Sequence, residues 1–486
     1  MSVSSTDSVN NLDQNLEVVV LAAGQGTRMR SALPKVLHPI AGEPMLARVL
    51  DTALGLNAVR VHVVIGHQGD AVRAAIESTA RFSNAPLNWV IQAEQKGTAH
   101  AVAQALPDVA DDAMVLVTYA DVPLVSPGTL AGCVAAAAGG EGEEAGLALV
   151  TALFNDPAQL GRIVRDDSGL IQAIVEYADA SAEVRAIREI NSGILALGAQ
   201  AMKEMVAEIE PQNAQAEYYL TDLIEMAVAR NMPVRGLVSG LDGGSPEEVS
   251  GINDRVQLAE AERLFQERAA QALMRAGVTM ADPARVDIRG SVSTGEDCFI
   301  DINVVLEGEV RLGTGVSIGP GSVIRDSALG DGVIVEAHTL VEGAEVADRC
   351  ALGPFARIRP GTVLAEEVRI GNFVETKKTT IGRGTKASHL TYLGDATLGE
   401  DCNVGAGTVT CNYDGIEKHP TDIGDNVFVG TNSTLVAPIE IGSGSFVAAG
   451  STVTTKVADG DLAVGRGKQR NISGWTRPDQ RKKKES

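Results

Sequence analysis

The C-terminal half of the chain counts in sixes. Aliphatic residues fall at Ile300, Leu306, Leu312, Ile318 and Ile324, then at Leu340, Val346, Leu352, Ile358, Leu364 and Ile370. The beat returns at Ile423, Val429, Leu435, Ile441, Val447 and Val453, often with Gly or Asp next in line. A period of six is neither the 3.6 of a helix nor the 2 of a simple strand. It predicts a left-handed parallel β-helix of hexapeptide repeats, with three short strands per triangular coil and each aliphatic residue pointing into the prism. A coil buries that face only by stacking on its neighbours, so the run predicts a rigid rod. Two interruptions are expected in it. One covers 382–392, from Gly384-Thr385-Lys386-Ala387-Ser388 into His389-Leu390-Thr391-Tyr392, and the other covers 407–421, GTVTCNYDGIEKHPT. Loops inserted between regular coils are where binding elements are expected.

The N-terminal half follows a different rhythm. Strand-like runs at 17–21, 61–65, 88–92 and 114–118 alternate with helix-like runs at 44–56, 70–79 and 98–106. That alternation predicts a Rossmann-like, doubly wound parallel sheet with its ligands at the carboxyl ends of the strands. Between the halves, Val256–Ala276 is rich in strong helix formers and is followed by Gly277 and Pro283, which fits one long helix with a glycine stop. The chain thus divides into an α/β domain over 1–245, a linker with the helix over 246–280, and an all-β domain with a basic tail over 281–486.

Composition narrows the classes. A net charge of -22 disfavours nucleic acid and anionic membranes as partners, so clustered Arg and Lys residues become informative. The five cysteines are scattered without a CxxC, which predicts reduced thiols rather than a disulfide frame or a zinc site. No apolar run reaches membrane-span length and no secretory pattern opens the chain, so a cytoplasmic location is expected. The polar stretch 1–15 and the basic tail RPDQRKKKES are expected to be solvated.

The loop after the first strand, Leu21-Ala22-Ala23-Gly24-Gln25-Gly26-Thr27-Arg28-Met29, is a candidate phosphate cradle. Two glycines let backbone N–H groups approach a polyphosphate, while Arg28 and, past Pro34, Lys35 supply charge. It lacks the third glycine of a dinucleotide fingerprint and the G-K-[ST] of a P-loop. The set L-A-A-G-x-G-T-R-M with P-K resembles the nucleotidyltransferases that join a sugar 1-phosphate to a nucleoside triphosphate. Gln92, Gly97-Thr98, Tyr119-Ala120-Asp121, Gly161-Arg162-Ile163-Val164, Glu176 and Glu189-Ile190-Asn191 follow in that family's order. On the rod, GPFARIRPG (353–361), GNFVETKK (371–378), KASHLTYLGD (386–395) and NVGAGTVTCNYDG (403–415) complete the picture. From Val18 to about Trp475 the chain resembles the bacterial family that is at once UDP-N-acetylglucosamine pyrophosphorylase and glucosamine-1-phosphate N-acetyltransferase.

That resemblance implies two chemistries. In the first, acetyl-CoA acetylates glucosamine 1-phosphate, with His389 as general base, Glu375 orienting it, and Arg359 and Lys377 on the sugar phosphate. Tyr392, Asn403, Asn412 and Tyr413 would line the sugar and acetyl pocket, and Ala406, Thr431, Ala449 and Arg466 would meet coenzyme A. Neighbouring subunits of a homotrimer would share that site. In the second, N-acetylglucosamine 1-phosphate attacks UTP and releases pyrophosphate. Arg28 and Lys35 would hold the triphosphate, and Leu21, Ala22, Ala23, Gly24, Gln92 and Gly97 the uridine. Thr98, Tyr119, Gly161, Glu176 and Asn191 would hold the UDP-sugar, and Asp121 and Asn253 would coordinate Mg²⁺. The product would feed peptidoglycan, lipopolysaccharide or other envelope precursors.

Three residues depart from the family pattern: Ala120 for Gly, Gln25 for Lys, and Thr431 for Ser. Two rival readings use the same folds, a pyrophosphorylase whose rod only assembles subunits and a non-enzymatic scaffold. His389 with Asn412-Tyr413 argues against the first, and Arg28, Lys35 and Asp121 in phosphate-site order argue against the second.

Overall fold

The computed structural model describes residues 15–140, 142–213, 215–240 and 245–481, so the leader before Asn15 and the tail beyond Arg481 lie outside the described residues. The chain separates into two compact units, 1–265 and 266–486.

In the first unit the strands Leu16–Ala22 (β1), Arg60–Ile65 (β2), Leu87–Ile91 (β3), Met114–Tyr119 (β4), Leu147–Leu153 (β5), Glu189–Gly198 (β6) and Val234–Val238 (β7) form the main path of one sheet, ordered β7-β5-β6-β4-β1-β2-β3. β1 pairs in parallel with β2 and β4, and β6 runs antiparallel to β4 and β5. β1 shows why this sequence sits at the centre. Val18 and Val20 belong to one hydrophobic core, Val19 and Leu21 to another, and all four are buried. A strand buried on both faces reads as a continuous apolar run. The helices Met45–Leu54, Gly69–Glu77 and Thr98–Ala105 fall where the pattern predicts them. The long helix Arg255–Arg275 is capped by Asp254, whose carboxylate accepts from the backbone N–H groups of Val256 and Gln257 at 2.9 Å, and Gly277 stops it at φ +103°.

The second unit is a left-handed parallel β-helix. Leu306 pairs with Ile324, Ile324 with Val341, Val341 with Ile358, Ile358 with Thr376 and Thr376 with Leu393, one coil apart each time. These coils are therefore 17 or 18 residues long rather than uniformly 18. A five-residue step replaces six at Ile324–Leu329, Val341–Val346, Thr376–Ile381 and Leu393–Leu398, through residues of positive φ: Asp326, Gly343, Lys378 and Asp395. This corrects one expected inward position. Leu340 is only half-buried, and Val341, at 0% exposure, fills the core in its place. It also removes an expected interruption, because 382–392 is an ordinary coil whose strand Lys386–His389 pairs with Arg369–Asn372. The second interruption is real. Thr410 keeps the beat at 1% exposure, and the extra residues form the loop 412–420, closed by a bridge between Tyr413 and Lys418.

The cysteines all carry free thiols. Cys298, Cys350 and Cys402 occupy equivalent interior positions three coils apart, each thiol donating to a carbonyl of the next coil: Gly313 at 3.1 Å, Ala365 at 3.0 Å and Gly424 at 3.0 Å. Burial raises the pKa of these thiols, that of Cys350 to about 11 and that of Cys133, in the first unit, to about 12.

Candidate functional sites

The first cleft opens at the carboxyl ends of β1, β3 and β4. Its lining includes Leu21, Ala22, Ala23, Gly24, Lys35, Gln92, Gly97, Thr98, Tyr119 and Asp121, all of them expected, with Gln25 of the expected cradle, and also Gln95 and Glu217, which were not. Gly26 and Gly97 explain how the loops close on it. A Cβ on Gly26 would lie 2.5 Å from the Cβ of Lys35, and one on Gly97 would lie 2.4 Å from the carbonyl oxygen of Tyr218. Gln92, buried, donates to the Gly97 carbonyl at 3.2 Å.

The chemistry concentrates at Lys35. Its ammonium donates to the Asp121 carboxylate in a short contact and to Asn253 Oδ1 at 2.9 Å. Two accepting oxygens thus converge on one cation inside a cleft. Burial, with help from Asp121 and Glu176, holds the Tyr119 phenol well above its usual pKa. Arg28 stands apart, exposed on the turn Thr27–Met29 and outside the lining of this cleft.

A second recess shares Thr98 and Glu217 with the first and adds Gln159, Glu176, Tyr177, Ala178, Gln215 and Tyr219. Burial raises the Glu176 carboxyl, and Thr221 donates to it at 3.4 Å. Gly161 is tied to Asn191 through its carbonyl, which accepts the Asn191 N–H at 2.9 Å.

On the rod, Asn372, His389, Ala406, Thr431 and Ala449 each precede a left-handed residue at one corner: Phe373, Leu390, Gly407, Asn432 and Gly450. Backbone hydrogen bonds stack those corners one coil upon the next. The Arg466 guanidinium donates to the Ala449 carbonyl, which extends the column. His389 Nδ1 lies 2.6 Å from Asn372 Oδ1. An amide oxygen only accepts, so Nδ1 donates and Nε2 keeps its lone pair. This corrects the expected partner, because Glu375 is engaged elsewhere, accepting from Arg359 Nη1 at 2.7 Å.

Of the remaining expected residues, all but Asn403 lie away from the His389 sheet. Arg359, Lys377 and Tyr392 stand on or beside strands of a second sheet, and Asn412 and Tyr413 lie on the loop, with Asn412 Nδ2 donating to Asp395. Asn403 pairs with Lys386, on the sheet that carries His389. Sequence reasoning missed Lys418. Its pKa is lowered, first by the Lys377 ammonium beside it. Two ammonium groups in contact mark a place suited to an anion, and the only sequence signal was a lysine in an inserted loop.

A doubly wound unit with a phosphate-loop cleft, followed by a hexapeptide rod with a corner histidine, defines a nucleotidyltransferase joined to an acetyltransferase. Family models agree: residues 18–189 match the MobA-like NTP transferase domain, 286–383 the GMPPB C-terminal domain, and 420–455 the hexapeptide repeat of succinyl-transferase. The bifunctional protein GlmU of Marinobacter nauticus is 52% identical over 95% of this chain and 99% of its own length. That of Alkalilimnicola ehrlichii is 53% identical over 97% and 98%, and that of Stutzerimonas stutzeri 52% over 96% and 99%. The chain belongs to the GlmU family, and it is a bifunctional enzyme of UDP-N-acetylglucosamine synthesis. No helix among the described residues is long and apolar enough to cross a membrane.

Proposed function

We propose that residues 1–245 carry uridylyl transfer, 246–280 link, and 281–486 carry acetyl transfer, with the residue roles that follow. For uridylyl transfer, the phosphate oxygen of N-acetylglucosamine 1-phosphate attacks the α-phosphorus of UTP while the bond to pyrophosphate breaks. The nucleophile is already anionic, so the protein positions groups and neutralises charge. The convergence of Asp121 and Asn253 on the Lys35 ammonium carries this reading. The two oxygens suit a hard cation that keeps its other positions for water and phosphate. Among the described residues no group of three His, Cys, Asp or Glu forms a fuller cage. Mg²⁺ held there supplies charge neutralisation to the triphosphate. Lys35, released from that bridge, and Arg28 hold the leaving pyrophosphate. Leu21, Ala22, Ala23, Gly24, Gln92 and Gly97 read the uridine, while Thr98, Tyr119, Gly161, Glu176 and Asn191 seat the sugar.

For acetyl transfer, His389 Nε2 takes a proton from the glucosamine 1-phosphate ammonium. The freed amine attacks the acetyl-CoA carbonyl, the C–N bond forms and the C–S bond breaks; the proton the nitrogen loses on becoming an amide goes to the departing sulfur, which leaves as the thiol of coenzyme A. Arg359, Lys377 and Lys418 hold the sugar phosphate, and Tyr392, Asn403, Asn412 and Tyr413 line the sugar and acetyl pocket. The corner column of Ala406, Thr431, Ala449 and Arg466 receives coenzyme A. These groups lie on different faces of one rod, which supports a site shared between subunits of a homotrimer.

The test is a reciprocal pair of variants. His389→Ala should lower acetyl-CoA-dependent thiol release about a hundredfold or more and spare uridylyl transfer. Asp121→Ala should abolish Mg²⁺-dependent pyrophosphate release and spare acetylation. Loss of both activities in either variant would overturn the separation, and pyrophosphate release persisting in Asp121→Ala would remove Asp121 from the metal site.

A further inference from the structure

Arg162 is 2% exposed, among the largest fully buried side chains in the molecule. A guanidinium is costly to bury unless its donors are satisfied. Here backbone carbonyls serve that need: Nε donates to Arg185 at 3.3 Å, Nη2 to Ala158 at 2.9 Å, and Nη1 to Leu160 in a short contact.

The carbonyls come from two separate segments. Ala158 and Leu160 belong to the loop entering the strand Arg162–Arg165, and that loop also carries Gln159. Arg185 is the last residue of the helical turn Ala182–Arg185, where carbonyls carry partial negative charge. Between the segments lies Tyr177, with the Arg185 guanidinium 4.5 Å and that of Arg162 5.8 Å from its ring centroid. Arg185 also donates to the Tyr177 carbonyl at 3.1 Å. Gln159, in the first of these segments, and Glu176, Tyr177 and Ala178, which lead into the second, all line the recess. Ala158 is held at φ +44°, a strained conformation for a non-glycine residue, and its own carbonyl is one that Arg162 grips.

We propose that Arg162 is a positioning residue for the sugar 1-phosphate, a buried fork that sets the spacing between the two walls of the recess. This rests on the reading of that recess as the sugar site. A planar guanidinium reaches carbonyls in three directions at once, and an ammonium on a flexible stem cannot reproduce that fork.

The experiment measures steady-state uridylyl transfer by full-length Arg162→Lys and Arg162→Met, with KM determined separately for N-acetylglucosamine 1-phosphate and for UTP. Thermal unfolding and acetyl transfer of the same preparations report folding. Arg162→Lys is expected to raise KM for the sugar phosphate about tenfold. KM for UTP and the acetyl-transfer rate should stay within about twofold, and Arg162→Met should show a larger loss of the same kind. Unchanged KM values with a lowered Tm would overturn the proposal in favour of a purely structural arginine, and an equal rise in both KM values would overturn its specificity for the sugar. If Arg162→Met fails to fold, Arg162→Lys alone decides. Glu176→Gln separates the two levels. If it leaves the sugar KM unchanged, the sugar-site reading falls and the proposal with it. If it raises that KM while Arg162→Lys does not, only the positioning role is lost.

Discussion

His389 shows how much one neighbour decides. Asn372 accepts from its Nδ1, which selects the tautomer that leaves Nε2 free to accept a proton. Asn372→Ala should therefore lower kcat for acetyl transfer about tenfold with little change in KM. A KM effect alone would assign Asn372 to substrate binding instead. Asp222 carries the second consequence at this scale. Its carboxyl is pushed up to about 6 by burial first, then by Glu225 and Asp179. The folded state thus holds this proton more tightly than the unfolded chain does. The stability linked to it is present below the ordinary value of 3.8 and is lost as pH rises through about 6, so at neutral pH the charged group opposes folding. Asp222→Asn should raise the Tm of the first unit at pH 8 by more than at pH 5. An equal or reversed difference in a thermal melt would refute that linkage.

At the scale of the element, the inward row of the rod makes a sharp distinction between adjacent aliphatics. Val341→Ala should cost about 2 kcal/mol in denaturant unfolding, while Leu340→Ala, at a half-buried position, should cost clearly less. The reverse order would mean the register is misassigned. The same pair shows what a sequence can reveal. The period of six was legible because every coil needs an apolar residue at the same place. The five-residue steps were not, since Leu340 and Val341 are equally apolar and the choice is made by a left-handed residue at the corner, here Gly343. For the same reason 382–392 looked like an insertion although its backbone stays in the ladder. The phosphate-loop residues were legible as a motif within a few positions of one another. Asn372 and Lys418 were not, because each meets its partner only through coil stacking or loop closure.

At the scale of the whole molecule, two units have separate cores, one around the sheet and one along the prism. The rod residues proposed to hold substrate are spread over more than one sheet and a loop, which leads to a prediction about concentration. On dilution below the point of subunit dissociation, acetyl transfer per chain should fall while uridylyl transfer per chain stays level. Acetyl transfer that persists where sedimentation finds single chains would end the shared-site proposal.

The interior thiols have a practical corollary. Cys133, Cys298, Cys350 and Cys402 are sealed and held protonated, whereas Cys411 is half-buried. A colorimetric thiol reagent added to follow coenzyme A would therefore register little from the intact enzyme beyond a slow contribution from Cys411. The four silent sulfurs would surface only as their own unit came apart. The enzyme thus carries an internal seal whose breaking the same reagent would report, so turnover and the integrity of each half could be read in one cuvette.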